Sequence, residues 1–148
     1  MDKKVFASNR KAYYNYEILE KLETGIILSG YEVKSIRQSK VSLIDAVIRF
    51  SNGEVFVENI FITPYKQIST HIAEYDAKKK RKLLMHKSEI NKMKTKVKEK
   101  GFTLIPLEIY IRNKNKIKLL IGLAKGKKTY NKREAIKKRD ITREMAKE

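Results

Sequence analysis

The sequence predicts a mainly β protein: a small closed barrel with flanking helices and a basic C-terminal tail. Three observations carry this. Residues 42–62 and 102–123 alternate apolar and polar positions with the two-residue period of half-buried strands, and a turn signal divides each stretch. One helical stripe, Ile90, Met93 and Val97, lies between them. The 148 residues suffice for one domain with a real core plus an extension. A closed barrel removes the free edges that so strand-rich a chain must manage.

Residues 1–11 are polar and basic and are expected to be loosely held. Asn9-Arg-Lys-Ala-Tyr-Tyr-Asn-Tyr16 sets two cations among three tyrosines. Core or rim packing suits such rings, and Tyr16 is the one best placed to face a ligand. Residues 16–22 read as a short first strand with imperfect alternation. Thr24 is a candidate N-cap for a helix through Ile26, Ile27, Val33 and Ile36, which Gly30 weakens.

Residues 42–50 alternate well, and Asn52-Gly53 is the strongest short hairpin signal. Val55, Val57 and residues 59–62 supply the return strand, which Pro64 ends because it cannot donate to a ladder. Residues 67–82 are polar and become intensely basic at 78–82, so they read as an exposed loop, disordered without a partner. A helix follows. His86 can cap it, with Glu89 three residues on as in a capping box, and Gly101 stops it. Its apolar stripe packs on a core, while Lys87, Lys92, Lys94, Lys96, Lys98 and Lys100 present positive charge.

Alternation resumes through Phe102, Leu104, Leu107, Ile109 and Ile111, with Pro106 at an edge or bulge position. Residues 113–115 make a turn. Ile117, Leu119, Ile121 and Leu123 complete the second hairpin, with Lys116, Lys118 and Leu120 on the opposite face. Five or six short strands with a helix between the hairpins favour an OB-like barrel over a sandwich.

Beyond Lys128, Asn131 can cap a helix with Glu134 at its third position. Ala135, Ile136, Ile141, Met145 and Ala146 offer too little apolar surface to hold that helix on the domain. The expected division is a domain over residues 1–128 and a tail over 129–148. That tail would be disordered when free and helical against a polyanion, where residues 132–147 would extend roughly 24 Å.

Lys and Arg number 35 against 17 Asp and Glu, for a net charge of +18. Residues 25–75 are neutral, with five residues of each sign. Residues 76–100 carry 11 basic and three acidic side chains, and residues 125–148 carry ten and four. Charge gathered in blocks points to a contact surface for a polyanion. Within Lys125-Gly-Lys-Lys-Thr-Tyr-Asn-Lys-Arg133, five of nine residues are cationic, Tyr130 can stack and Gly126 lets the backbone approach. These are the parts of a nucleic-acid grip.

The chain has no cysteine, which excludes disulfides, thiolate metal sites and Cys nucleophiles and suits a cytoplasmic home. No apolar run approaches the roughly 18 residues of a membrane span. There is no Gly-rich phosphate loop, His71 sits in a polar stretch and His86 serves as a cap, so neither an enzyme nor a cofactor is expected. A nuclease built on Asp45 and Glu54, and a membrane-surface binder built on the basic helix, are the weaker rivals. The helix lacks Trp or Phe on its apolar stripe.

Five segments resemble one family in the same order: Asn9-Arg-Lys-Ala-Tyr-x-x-Tyr16, Gly30-Tyr-Glu-Val-Lys-Ser-Ile-Arg37, Ile62-Thr-Pro-Tyr65, Arg81-Lys-Leu-Leu-Met-His86 and Ala124-Lys-Gly-Lys-Lys-x-Tyr-Asn-Lys-Arg133. The family is that of the SsrA-binding proteins, the tmRNA-binding small protein B of bacterial trans-translation. The likeness runs from about Asn9 onward. It implies an OB-fold barrel that binds the tRNA-like domain of tmRNA, one protein per tmRNA and without a membrane. It also implies delivery to ribosomes stalled on mRNA without a stop codon.

The resemblance further implies a tail that enters the small-subunit decoding region and the empty mRNA channel as a helix. Carried over, the RNA contacts fall on Tyr16, Glu23, Leu84 and Lys118, and at the tail's root on Lys125, Lys127 and Lys128. The decoding tail comprises Gly126, Tyr130, Asn131, Lys132, Arg133, Lys137, Lys138 and Arg139. Lysines suit phosphates, Tyr16 can stack, and Leu84 can press on an unstacked base. Glu23 can accept from a base edge or 2′-hydroxyl, or it can orient a neighbouring cation. Asn131 stands where the family usually has Asp, which keeps the cap and drops a charge. A general RNA-binding or ribosome-associated protein, without preference for tmRNA, is the alternative.

Overall fold

The computed structural model describes residues 3–64, 78–112 and 116–126. Strand β1 (Lys3–Ser8) leads into helix α1 (Arg10–Asn15), strand β2 (Tyr16–Ile26) and helix α2 (Gly30–Arg37). Four strands follow: β3 (Val41–Ser42), β4 (Val47–Ser51), β5 (Glu54–Glu58) and β6 (Phe61–Ile62). Then come β7 (Arg81–Leu84), helix α3 (Lys87–Lys100), β8 (Thr103–Arg112) and β9 (Ile117–Gly126).

Seven strands form one antiparallel sheet in the order β1-β8-β9-β2-β7-β5-β4, and β3 pairs with β6 beside it. The sheet curls until β4 packs against β8. Among the described residues no ladder joins its two edge strands, so the fold is OB-like and mainly β without the full closure expected. Among the described residues nine strands replace the five or six expected, because β3 and β6 are short satellites and β1 is a full member.

Strand β1 corrects the loosely held N-terminus. Its residues gain order by pairing with β8, from Lys3 opposite Arg112 to Ser8 opposite Glu108. Asn9 then fastens α1 to the same strand. Its backbone N–H donates to the Leu107 carbonyl at 2.8 Å and its Nδ2 to the Pro106 carbonyl at 3.0 Å. Its Oδ1 accepts from the Ala12 N–H at 3.3 Å as the helix cap. The β8–β9 register shifts between Pro106 and Glu108. Pro106 therefore sits at a bulge, as its missing N–H requires. Beside it, opposite Ile105, Gly122 leaves room for the Leu107 side chain, whose Cδ1 would stand 2.8 Å from a Cβ there.

Thr24 is not a helix cap. It lies in β2, where its hydroxyl donates to the Leu119 carbonyl at 2.8 Å. Ser29 caps α2 instead. Its Oγ accepts from the Glu32 N–H at 3.2 Å, and Glu32 Oε1 accepts from the Ser29 N–H at 3.0 Å. The Asn52-Gly53 hairpin forms between β4 and β5 with both residues at positive φ, 52° and 78°. Its return strand breaks at Asn59, also at positive φ, so Phe61 and Ile62 pair with β3.

Helix α3 follows its sequence signals. His86 and Glu89 form the capping box, Gly101 ends the helix at φ 70°, and Ile90 and Met93 are buried. Those two join Ile36, Leu43, Val55, Val57, Ile60, Ile62, Leu83, Ile109, Leu119 and Ile121 in one core. The second half of the basic run is not an exposed loop. Arg81 opens β7 and is buried against Glu32. Residues 65–77, 113–115 and 127–148, where most of the expected loop over 67–82, the expected turn and the expected tail fall, lie outside the described residues.

Candidate nucleic-acid interface

Strand pairing lines up one row of residues across the outside of the sheet. Val5 of β1 faces Tyr110 of β8, Tyr110 faces Lys118 of β9, Lys118 faces Gly25 of β2, and Gly25 faces Leu84 of β7. Directly opposed residues share a face, so these five form a stripe across five strands. Their neighbours along the chain, Leu119 and Leu83, are buried in the core. The outward side of this stripe is therefore the solvent side.

Three predicted contacts meet on it. Glu23, Leu84 and Lys118 line one open pocket together with Gly25, Met85, His86 and Glu89. Each is outward for a local reason. Glu23 and Gly25 alternate with the buried Thr24, Lys118 alternates with Ile117 and Leu119, and Leu84 follows Leu83. Leu84 is 52 % exposed, which is unusual for a leucine in a sheet. Lys118 is half-buried and makes no ion pair among the described residues. A cation beside an exposed apolar side chain can hold a phosphate while the leucine covers a base.

Glu23 has partners of its own. Its Oε1 accepts from the Tyr110 hydroxyl at 2.5 Å and lies 3.5 Å from Arg112 Nη2. Burial, together with the bond to Glu23, pushes the Tyr110 hydroxyl up to about 12, against the opposing pull of Arg112. Lys3 Nζ stands 4.5 Å from the Tyr110 ring centre and pairs with Glu108 at 2.8 Å. Tyr110, Arg112 and Lys3 were not singled out from the sequence. The available signal was the two-residue step that puts Tyr110 and Arg112 on one face of β8.

Tyr16 is elsewhere. It opens β2 opposite Gly126, next to the pair Glu17 and Lys125. Seven residues of strand, roughly 23 Å, separate it from Glu23. Lys125 and Gly126 line a second pocket with Lys100, Gly101 and Phe102, at the point where the chain leaves the sheet. Lys127, Lys128, Tyr130, Asn131, Lys132, Arg133, Lys137, Lys138 and Arg139 lie outside the described residues.

The basic runs are partly neutralised from within. Lys96 of α3 binds Glu20 of β2, which holds the Glu20 carboxyl below its ordinary value. Lys82 pairs with Glu54 at 2.9 Å. Arg81 is withdrawn altogether. Its Nε and Nη2 donate to Glu32 Oε2 at 2.9 and 2.6 Å, and its Nη1 to the Ile60 carbonyl at 2.9 Å. No helix among the described residues is long and apolar enough to cross a membrane.

A curled OB-like sheet whose outer face sets Lys118 beside the exposed Leu84 fits the OB-fold class of nucleic-acid-binding proteins. The family model for SmpB protein matches residues 6–148. This chain belongs to that family. The SsrA-binding protein of Persephonella marina is 53% identical over 144 residues, covering 97% of this chain and 93% of its own. That of Acetivibrio thermocellus is 51% identical over 144 residues, covering 97% and 92%. A chain of a solved structure described as "tmRNA-SmpB: a journey to the center of the bacterial ribosome" superposes with a TM-score of 0.70. It is 45% identical, covering 95% of this chain and 97% of that one.

Proposed function

We propose that this chain binds the tRNA-like domain of tmRNA through the outer face of β9, β2 and β7 and delivers it to stalled ribosomes for trans-translation. The convergence of Glu23, Leu84 and Lys118 in one pocket carries the reading. Three residues from three strands, far apart in sequence, meet where a cation, an acceptor and an apolar surface are all open to solvent. Lys118 neutralises a phosphate, Leu84 covers a base, and Glu23 works among the cations around it. The role is one of binding and presentation, and no catalytic step is assigned to any residue.

The second cluster, Tyr16 with Lys125 and Gly126, marks the root of the tail. Residues 129–148 serve as a separate unit that reaches the decoding region and the empty mRNA channel, with Tyr130, Lys132 and Arg133 at its start. Lys125, Lys127 and Lys128 bridge the two functions along the RNA backbone. The partners this implies are the small ribosomal subunit and tmRNA, met in the cytoplasm.

A binding titration at fixed salt tests this, comparing the tRNA-like domain with an unrelated hairpin of equal length. The expected preference is a hundredfold or more, roughly 2.7 kcal/mol. Equal affinities would overturn the tmRNA assignment and leave a charge-driven general RNA binder.

A further inference from the structure

A carboxylate on a phosphate-binding face weakens the attraction that face exists to provide, so Glu23 needs a reason to be there. The reason is on the same side of the sheet. Lys3 and Arg112 are directly opposed across the β1–β8 ladder, two cations in a position where like charges repel. Each is held by an acid from a neighbouring position, Lys3 by Glu108 and Arg112 by Glu23. Both lie against the ring of Tyr110, at 4.5 and 5.5 Å from its centre. The ring is 1 % exposed and its hydroxyl is spent on Glu23 at 2.5 Å. Tyr110 is thus a buried support, and the Arg112 side chain above it remains 40% exposed.

We infer that Arg112 is a further phosphate contact of the RNA site, and that Tyr110 and Glu23 are the positioning residues that aim it. This rests on the RNA-binding reading above. The ligand is a backbone phosphate next to the one Lys118 takes. Lys118 and Tyr110 are opposed in the ladder, and Arg112 is two residues along β8 from Tyr110. A guanidinium suits the task because its planar fork can grip two phosphate oxygens at once. Held by a ring below and a carboxylate beside it, the fork loses less freedom on binding. Glu23 then acts on the RNA through Arg112, which accounts for an acid beside the phosphate-binding Lys118.

The test measures affinity for the tRNA-like domain against salt for the full chain and three variants. Arg112→Gln should weaken binding by about tenfold and lower the salt slope by about one contact. Tyr110→Phe removes no charge, yet it should also lower the slope, because the unaimed Arg112 no longer meets its phosphate. In the double variant the Tyr110→Phe effect should vanish. Arg112→Gln with wild-type affinity and slope would overturn the contact, and this exposed position does not put folding at risk. Equal Tyr110→Phe effects with and without Arg112 would overturn the positioning role. Wild-type protein with no preference for the tRNA-like domain would instead overturn the tmRNA reading on which the inference stands.

Discussion

Gly25 faces Leu84 across the β2–β7 ladder, and a Cβ on residue 25 would stand 3.2 Å from the Leu84 Cβ. The bare glycine lets Leu84 lie against β2 while half of it stays open to solvent. Gly25→Val should push Leu84 out of the pocket and weaken tRNA-like-domain binding by about tenfold, about 1.4 kcal/mol. Leu84→Ala should do the same with almost no change in melting temperature, because so exposed a side chain adds little to the core. Fluorescence anisotropy with a labelled RNA reads the affinity and calorimetry reads the melt. Full binding by Leu84→Ala would remove Leu84 from the site.

Glu32 and Arg81 are both almost fully buried and bind each other from α2 and β7. Removing one partner takes the nearest opposite charge from a group that stays buried in the core. Glu32→Gln should therefore destabilise the fold by about 3 kcal/mol or more, measured by urea unfolding. The acid limb follows the same pair. Burial works to raise the Glu32 carboxyl, but Arg81, the Ser29 N–H and Lys79 together hold it below its ordinary value. The unfolded chain then binds this proton more readily than the folded one. The stability it confers is complete above the ordinary carboxylate range and is lost as pH falls through the lowered value. A wild-type acid limb no steeper than that of Glu32→Gln would refute the assignment.

This pair also marks where the sequence stopped being legible. Asn52-Gly53, the His86–Glu89 box and Gly101 acted as read, because each is a local signal whose partners lie within a few residues. Arg81 looked like part of a solvated basic run, since its partner is 49 residues away. Strand β1 was missed because its order comes from β8, about a hundred residues later. Thr24 had a capping residue's chemistry but found the Leu119 carbonyl in the sheet before it could start a helix. The site divided similarly. Glu23, Leu84 and Lys118 came from family likeness, and no spacing in the chain places them together. The support of Glu23 by Tyr110 and Arg112 depends on ladder register, which a one-residue slip would destroy.

Tyr110 gives an alkaline counterpart. Its hydroxyl is pushed up to about 12 by burial and by the bond to Glu23. An unfolded tyrosine releases its proton near 10, so between these values the folded state holds more protons and stability falls as pH rises. Below the unfolded value the contribution is complete. The expected loss across that window is about 2 to 3 kcal/mol. Lysines titrate in the same range, so the measured quantity is the difference between wild type and Tyr110→Phe in denaturant unfolding at each pH. Parallel curves for the two proteins would show that Tyr110 is not the group responsible.

The distance along β2 from Glu23 to Tyr16 separates the sheet site from the root of the tail, and the two should fail independently. Lys118→Ala removes a cation that makes no ion pair among the described residues, so no folded-state partner is orphaned and the loss falls on RNA. Affinity should drop and the salt slope should fall by about one contact. Truncation after Lys128 spares that pocket entirely. It should leave tRNA-like-domain affinity within about twofold of wild type, well under the 1.4 kcal/mol of a tenfold change. It should nevertheless abolish tagging of nascent chains on stalled ribosomes. The crossed result decides between one surface and two. If truncation cost as much RNA affinity as Lys118→Ala, the tail would belong to the tmRNA grip. Normal tagging by the truncated protein would leave the tail with no part in decoding.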